Sequence, residues 1–252
     1  MVAIKDKLRF SYNGKSSEDF GLVAISLDSG MYEEVFVPSI SVNETRPVDR
    51  DVPILHGVTR EKRSFPLILA FEKDFNSDLL GGIIEWLFQD SYKPLYFEGG
   101  TDRIMFSMIT GESSLTHNGL NQGYFTVNVE TNSAYRYSRK IERVIGTEKT
   151  FRINNRGHKE VYPKYHIEKI GAGDLKIGVN GKNVLITNLE DKEIIKIDSL
   201  REIIETDIPG AYRYNNIKAG ELEDLYLDKG LTEIKITGEA NITTEHREIY
   251  MF

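Results

Sequence analysis

The residues through which a chain does chemistry are few here and stand apart from one another. The five histidines, His56, His117, His158, His166 and His246, never fall at the short spacing that sets two imidazoles on one side of a metal ion. Cysteine is absent, which excludes a thiolate nucleophile, a Cys-ligated zinc and a disulfide framework. Gly171-Ala172-Gly173-Asp174-Leu175-Lys176 opens like a dinucleotide fingerprint, but Lys176 stands where the third glycine belongs and a strand pattern follows instead of a helix. Gly181-Lys182-Asn183 lacks the hydroxyl residue of a phosphate loop, and Ser113-Ser114 does not sit in a nucleophile elbow. Glu221, Glu223, Asp224 and Asp228 crowd one segment without the spacing of a calcium loop, and they read as solvated surface. No catalytic residue, metal ligand or cofactor site is assigned, and the chain is expected not to be an enzyme.

The elements around these residues must therefore be read for architecture. The 252 residues are 40% hydrophobic, enough for one large core or two ordinary ones. Lys and Arg number 32 against 39 Asp and Glu, a net charge of -7 with a modest acidic excess in both halves. Sequence-independent binding to nucleic acid or anionic lipid needs concentrated basic residues and is not expected. The most apolar stretch, Leu79 to Phe88, contains Glu85 and falls well short of the roughly 20 residues of a membrane span. Met1 to Phe10 alternates charged and apolar residues, unlike a secretory signal, so synthesis and retention in the cytoplasm are expected.

Most of the chain alternates with a period of two, the mark of strands with one buried face. Val23, Ile25 and Leu27 share a parity, as do Phe65, Leu67, Leu69 and Phe71, then Ile104, Phe106 and Met108, then Phe125, Val127 and Val129. Further strands are expected at Leu8 to Tyr12 and at Glu34 to Asn43, with a change of parity around Pro38. Leu80, Ile83, Ile84 and Leu87 recur at helical spacing, so Asp78 to Asp90 is expected to be the one substantial helix, capped by Ser77 or Asp78. Gly81 and Gly82 lie inside it, which suggests a close approach to a sheet, and Trp86 reads as core. Beyond a charged stretch, strands resume around the Asn180-Gly181 pair, a hairpin signal. The expected layout is residues 1–140, a linker at 141–156, and a β-sandwich at 157–252.

One irregular stretch stands out for function. Between Asn43 and Arg63 the sequence reads as a polar connection of unusual length, a candidate arm for subunit contact through Asn43, Arg46, Asp49, Arg50, Asp51, Arg60 and Arg63.

Several pieces, taken in order, resemble siphophage distal tail proteins (Dit). They are Phe10-Ser11-Tyr12-Asn13-Gly14 leading to Phe20-Gly21-Leu22, the helix ending Glu85-Trp86-Leu87-Phe88 before Pro94-Leu95-Tyr96-Phe97, and Tyr124 to Val129 leading to Ala134-Tyr135-Arg136-Tyr137. Asn154-Asn155-Arg156-Gly157, Tyr162-Pro163-Lys164-Tyr165, Gly173 to Gly181 and Leu231 to Gly238 extend the likeness over essentially the whole chain. The resemblance implies a tail-tube-like, β-barrel-like N-terminal domain with one helix, closing as a hexameric ring, and a galectin-like β-sandwich of jelly-roll type behind it. It implies a non-enzymatic protein of the virion tail without cofactors. Its partners would be copies of itself, possibly as stacked rings, the tail tube protein, the tail-associated tip protein and receptor-binding proteins. DNA would pass through an acidic channel without specific binding. The second half lacks the long insertion some relatives use to hold receptor-binding proteins, and its galectin-like shape carries no tryptophan. The alternative from a different class is a carbohydrate-binding module acting through Tyr162, Tyr165, Tyr212, Tyr214 and Tyr226 of the second half. A glycoside hydrolase, resting only on abundant carboxylates, stands third.

Overall fold

Alternating burial dominates the computed structural model, which describes residues 8–26, 37–98, 103–119 and 122–251. The chain divides into two units, one spanning the described residues up to Arg136 together with Met251, the other Tyr137–Tyr250. The first holds β1 (Phe10–Tyr12), β2 (Lys15–Ser16), β3 (Leu22–Ala24), β4 (Ile40–Thr45), β5 (Ile54–Arg60), β6 (Ser64–Phe71), α1 (Ser77–Leu87), β7 (Lys93–Phe97), β8 (Met105–Thr110), β9 (Leu115–His117) and β10 (Gly123–Thr131). Its main sheet runs β2-β1-β7-β8-β10-β6-β3, with β9 beside β10. Ahead of β1, Leu8 bridges to Ala24, whose N–H donates to the Leu8 carbonyl at 2.9 Å, so the two ends of the sheet curl toward each other as a barrel requires. Strand and helix side chains meet inside, among them Phe10, Tyr12, Leu22, Leu69, Leu87, Leu95 and Val129.

Details of this unit correct the expectations. Leu22, Val23 and Ala24 are all buried in β3, which ends before Ile25, and Leu27 and Glu34 to Phe36 lie outside the described residues. In β8 the core receives Met105 and Ile109, with Ser107 between them, whereas Phe106 and Met108 of the expected face are only half-buried. Apolar residues on both faces had hidden the choice, and the Ser107 carbonyl accepts the Tyr12 hydroxyl at 3.3 Å on the inner side. Asn76, not Ser77 or Asp78, caps α1, its Oδ1 accepting the Leu79 N–H at 2.9 Å. The helix stops at Leu87 because the Gln89 side chain takes over the Glu85 and Trp86 carbonyls at 2.7 and 3.3 Å. No sheet approaches the two glycines: a Cβ on Gly81 would meet nothing, and one on Gly82 only the Phe20 ring at 3.9 Å.

The chain passes into the second unit within β11 (Arg136–Tyr137). There follow β12 (Ile141–Gly146), β13 (Thr150–Asn155), β14 (Lys164–Lys169), β15 (Gly173–Val179), β16 (Lys182–Leu189), β17 (Ile194–Asp198), β18 (Ile203–Thr206), β19 (Ile217–Ala219), β20 (Gly230–Thr237), β21 (Ala240–His246) and β22 (Ile249–Tyr250). Two five-stranded sheets, ordered β12-β21-β14-β17-β18 and β13-β20-β15-β16-β19, enclose Tyr165, Ile167, Leu175, Ile177, Ile195 and Ile234. The fold is thus mainly β, a barrel-like sheet with one helix and a β-sandwich. Asn180 and Gly181 turn between β15 and β16 with φ of 53° and 79°, the positive pair that a type I′ hairpin needs. Segment 141–156 is no linker: β12 pairs with β21 and β13 with β20, at the edge of each sheet. Glu142, Arg152 and Asn154 fill outward positions of these edge strands, and Arg143, opposite the buried Thr244, donates to the Arg152 carbonyl, so only Ile145, Phe151 and Ile153 reveal the inward side.

A buried ion pair fastens the loop that returns from β18. Arg213 donates through Nε and Nη2 to the two Glu193 oxygens at 2.7 and 2.8 Å, with Glu193 wholly buried and Arg213 8% exposed. The remaining capacity is used as well: Thr206 Oγ1 and the Glu190 N–H donate to Glu193 at 2.6 and 2.9 Å, and Arg213 Nη1 donates to the Asn188 carbonyl at 3.2 Å. The same loop brings Tyr214, whose hydroxyl accepts the Ile204 N–H at 3.2 Å on the edge strand β18.

Two stability measurements follow. Gly81→Ala, placed on an exposed helix position with free space for its methyl, is expected to stabilise the first unit by about 1 kcal/mol in denaturant unfolding. Arg213→Ala strands a buried carboxylate and is expected to destabilise the second unit by about 3–5 kcal/mol, with much of the loss recovered when Glu193→Ala is added. Additive effects in that double-mutant cycle would contradict the pairing.

Candidate functional site

The stretch expected to be a polar loop is a β-hairpin. β4 and β5 pair with each other and with no other described strand, and their backbone N–H and C=O groups are otherwise exposed. Ile40 stands opposite Arg60, Val42 opposite Val58, Asn43 opposite Gly57, Glu44 opposite Leu55 and Thr45 opposite Ile54. The register shifts between Asn43 and Glu44, leaving His56 as the extra residue of a bulge. That single residue decides the chemistry of the hairpin. Leu55 and Val58, three apart, would point to opposite sides of a regular strand, but the bulge brings both to the side of Ile40 and Val42. The result is a face on which Ile40, Val42, Leu55 and Val58, exposed by 49%, 54%, 60% and 46%, lie between Arg60, opposite Ile40, and Glu44, opposite Leu55. Ser41, Asn43, Thr45 and Thr59 occupy the other face, where the His56 Nε2 lies 2.8 Å from Thr45 Oγ1. At the tip the Arg50 N–H donates to the Pro47 carbonyl at 3.2 Å, Val48 and Val52 are open, and Arg46 reaches Asp51 at 3.7 Å in full solvent, a contact of little energetic weight.

Six of the seven expected arm residues lie on this hairpin: Asn43, Arg46, Asp49, Arg50 and Asp51 are exposed, and Arg60 is half-buried at its base. Arg63 does not belong with them. It is 2% exposed, its Nε donating to the Ala134 carbonyl at 3.0 Å and its Nη2 to the Met251 carbonyl at 2.5 Å, while its own N–H donates to Thr131 Oγ1 at 2.9 Å. The cue was parity, since Arg63 shares the side of Leu67 and Leu69 in the strand that follows. Lys62, one residue earlier, points outward to an ion pair with Glu130, which holds the ammonium above and the carboxyl below their ordinary ranges. The aliphatic face was missed because its four members are scattered between charges and fall into line only through the bulge.

The remaining candidates are occupied in structure. Asp224 pairs with Lys182 at 2.5 Å, and its other oxygen accepts the Glu221 N–H at 3.1 Å. Among the described residues no three His, Asp or Glu side chains converge as a metal site requires, and no helix is long and apolar enough to cross a membrane. Of the five tyrosines, Tyr165 is a core residue whose hydroxyl donates to the Leu225 carbonyl at 3.1 Å, and burial pushes its ionisation upward. Tyr162 with Tyr226 and Tyr212 with Tyr214 form two tilted pairs, not one platform. His117 Nδ1 accepts the Gly119 N–H at 3.1 Å. His246 is buried with its Nδ1 lacking a partner, and desolvation pushes its pKa below the ordinary 6.5 against a smaller opposing pull from Glu248.

Comparison with known proteins places this geometry. Residues 5–133 match the family described as phage tail protein N-terminal domain. The SPbeta prophage-derived protein YomH of Bacillus subtilis (strain 168) is 27% identical over 255 residues, covering 98% of this chain and all of that one. The crystal structure of the SPP1 phage Dit protein, described as a paradigm of hub adsorption apparatus in phages infecting Gram-positive hosts, superposes with a TM-score of 0.70 at 15% identity, covering 97% of this chain and 99% of that one. A chain of the phage P2 baseplate in its activated conformation with calcium gives a TM-score of 0.57 at 6% identity, over 96% and 98% of the two chains.

The histidine supplies a pH test. A lowered folded pKa means that the unfolded chain takes up a proton where the folded one resists it, so the contribution is complete above about pH 6.5 and is lost as the pH falls toward the folded value. Stability of the second unit is expected to decline from pH 7.5 toward pH 5, and His246→Leu is expected to flatten that slope in denaturant titrations. An unchanged slope would show that His246 is not its source.

Proposed function

This chain belongs to the phage tail protein N-terminal domain family, and on that premise we propose that it is a distal tail protein of a phage or prophage. In this reading the first unit closes into a hexameric ring between the tail tube and the tail tip or baseplate, and the whole serves as a hub for host adsorption. It acts by assembly and not by catalysis, as part of the virion tail. The partners are other copies of the chain, the tail tube protein and the tail-associated tip protein, with receptor-binding proteins as a further attachment.

The observation that carries the reading is the hairpin. A free two-stranded ribbon is marginal in water, and four aliphatic side chains left open on one of its faces want a surface to cover them. A protein that works alone gains nothing from such an arm, whereas a subunit that must grip its neighbour does. The match in fold along the full chain to SPP1 Dit supports the same role.

The test follows from the register. Replacing residues 43–57 by Asn-Gly joins Val42 to Val58, partners that already face each other, through a two-residue turn, and it spares the buried Arg63. The shortened protein is expected to keep its fold by circular dichroism and to form none of the multimers expected of the full-length chain in light scattering and negative-stain imaging. Normal rings from the shortened protein would reduce the hairpin to an ordinary loop.

A further inference from the structure

Between β9 and β10 the parts of an intramolecular reaction gather around one peptide bond. Asn118-Gly119 is one of three Asn-Gly pairs in the chain, with Asn13-Gly14 and Asn180-Gly181. In such a pair the glycine nitrogen can close a five-membered ring on the asparagine amide carbon, because glycine has no side chain to obstruct the approach. Ring closure is slow because that nitrogen must lose its proton, the amide oxygen must take on charge, and the amide nitrogen must leave.

At Asn118 these needs are met by neighbours. The Gly119 N–H donates to His117 Nδ1 at 3.1 Å, so the proton of the nucleophile already rests against a base. The Gln122 N–H donates to Asn118 Oδ1 at 3.3 Å, the oxygen on which charge develops. The amide is held for attack, with Asn118 Nδ2 donating to Gln122 Oε1 and the Asn118 N–H to the Gln122 carbonyl, both at 3.1 Å. The Phe75 ring stands edge-on to the imidazole at 6.5 Å. His117, Asn118 and Gln122 are exposed on the wall of a cleft of about 540 Å³, so water reaches them. The other two pairs follow Tyr12 and Val179 instead of a histidine, in tight turns where the asparagine φ is 49° and 53°.

We propose that Asn118 is a self-modification site, where the chain converts its own asparagine to a succinimide and then to aspartate or isoaspartate. His117 Nδ1 takes the Gly119 proton as the nitrogen bonds to Asn118 Cγ. The bond from Cγ to Nδ2 breaks, and that nitrogen takes up the proton and departs as ammonia. Water then opens the ring at either carbonyl, and neither oxidant nor cofactor takes part. The product adds a carboxylate to the cleft beside Lys73 and Asp74, and the isoaspartyl form adds one carbon to the backbone. There is little slack to absorb it: a Cβ on Gly123 would stand 2.4 Å from the Thr116 carbonyl oxygen, so the longer backbone strains the pairing of β9 with β10.

Peptide mapping of the full-length protein held at neutral pH follows each asparagine separately. Mass spectrometry reads the loss of ammonia on ring closure and the exchange of amide for acid on hydrolysis, and isoaspartyl methyltransferase labels the isoaspartate. In the folded protein Asn118 is expected to convert about 10-fold faster than Asn13 or Asn180, and the three rates are expected to converge in urea, where His117 and Gln122 lose their placement. His117→Gln keeps an acceptor but no base, and is expected to slow Asn118 about 10-fold, less than the roughly 100-fold of an enclosed general base because solvent also takes the proton. Unchanged rates at Asn13 and Asn180 report that the variant is folded. A rate at Asn118 no greater than at the other two, or a lead that persists undiminished in urea, would overturn the proposal. So would a folded His117→Gln protein that converts Asn118 at the native rate. The urea comparison uses the unaltered chain and decides the matter even if the variant does not fold.

Discussion

The first unit is arranged around one indole. Trp86 lies stacked between Phe20, at 4.3 Å and 7°, and Phe10, at 5.7 Å and 14°, with the Tyr12 ring edge-on at 6.4 Å. Its N–H donates to the Tyr12 carbonyl at 2.8 Å, so the one polar atom of the ring is satisfied where the rest is dry. Lys15 sits over the outer side of Phe20 at 5.7 Å and extends the column to the surface. The first strand and the short turn of Ser17 to Phe20 that follows it are joined here to the helix, far along the chain. Each aromatic contact adds about 0.5–1.5 kcal/mol beyond the area it buries, and the directional hydrogen bond fixes the rotation of α1 about its own axis. That rotation determines which side of the helix stays outside, and hence that Ile84 and Phe88 remain open.

The second unit solves a different problem. A sandwich has exposed strand edges, and β18 is one of them. The buried Glu193–Arg213 pair is a weak source of stability taken alone, since desolvating two charges cancels most of their attraction. What it does is hold a returning loop in one place, so that the Tyr214 hydroxyl occupies a backbone donor of the edge. An open edge is a template for pairing with any other strand, a hazard for a protein expected to be crowded among copies of itself.

Strong local patterns were legible in the sequence. The Asn180-Gly181 turn, the inward residues of β6 and β10, and the single helix follow from φ requirements and periodicity that no tertiary contact had to overrule. The exceptions share a cause, which is that side chains of the same type served opposite purposes. Charged residues on β12 and β13 cover sheet edges and so read as a linker. In β8 apolar residues lie on both faces, and the core receives Met105 and Ile109 and not Phe106 and Met108. Arg63 reads as surface by type, yet its position in the alternation places it inside. The hairpin's apolar face depends on one bulged residue, His56, and no periodicity survives a bulge. Arg46, Asp49, Arg50 and Asp51 lie exposed on the hairpin, and the aliphatic face lies beside them.

Arg63 also ties the base of the hairpin to a residue made much later in synthesis. Its guanidinium is buried at the base of the hairpin, and one of its acceptors is the carbonyl of Met251, which lies 188 positions later in the chain. At roughly 5–20 residues per second, about 10–40 s pass on the ribosome between the appearance of the cation and of that acceptor. Throughout that interval the whole second unit is being made, and the base of the arm lacks one of its bonds. A fragment lacking Met251 would therefore lack that acceptor at the root of the arm.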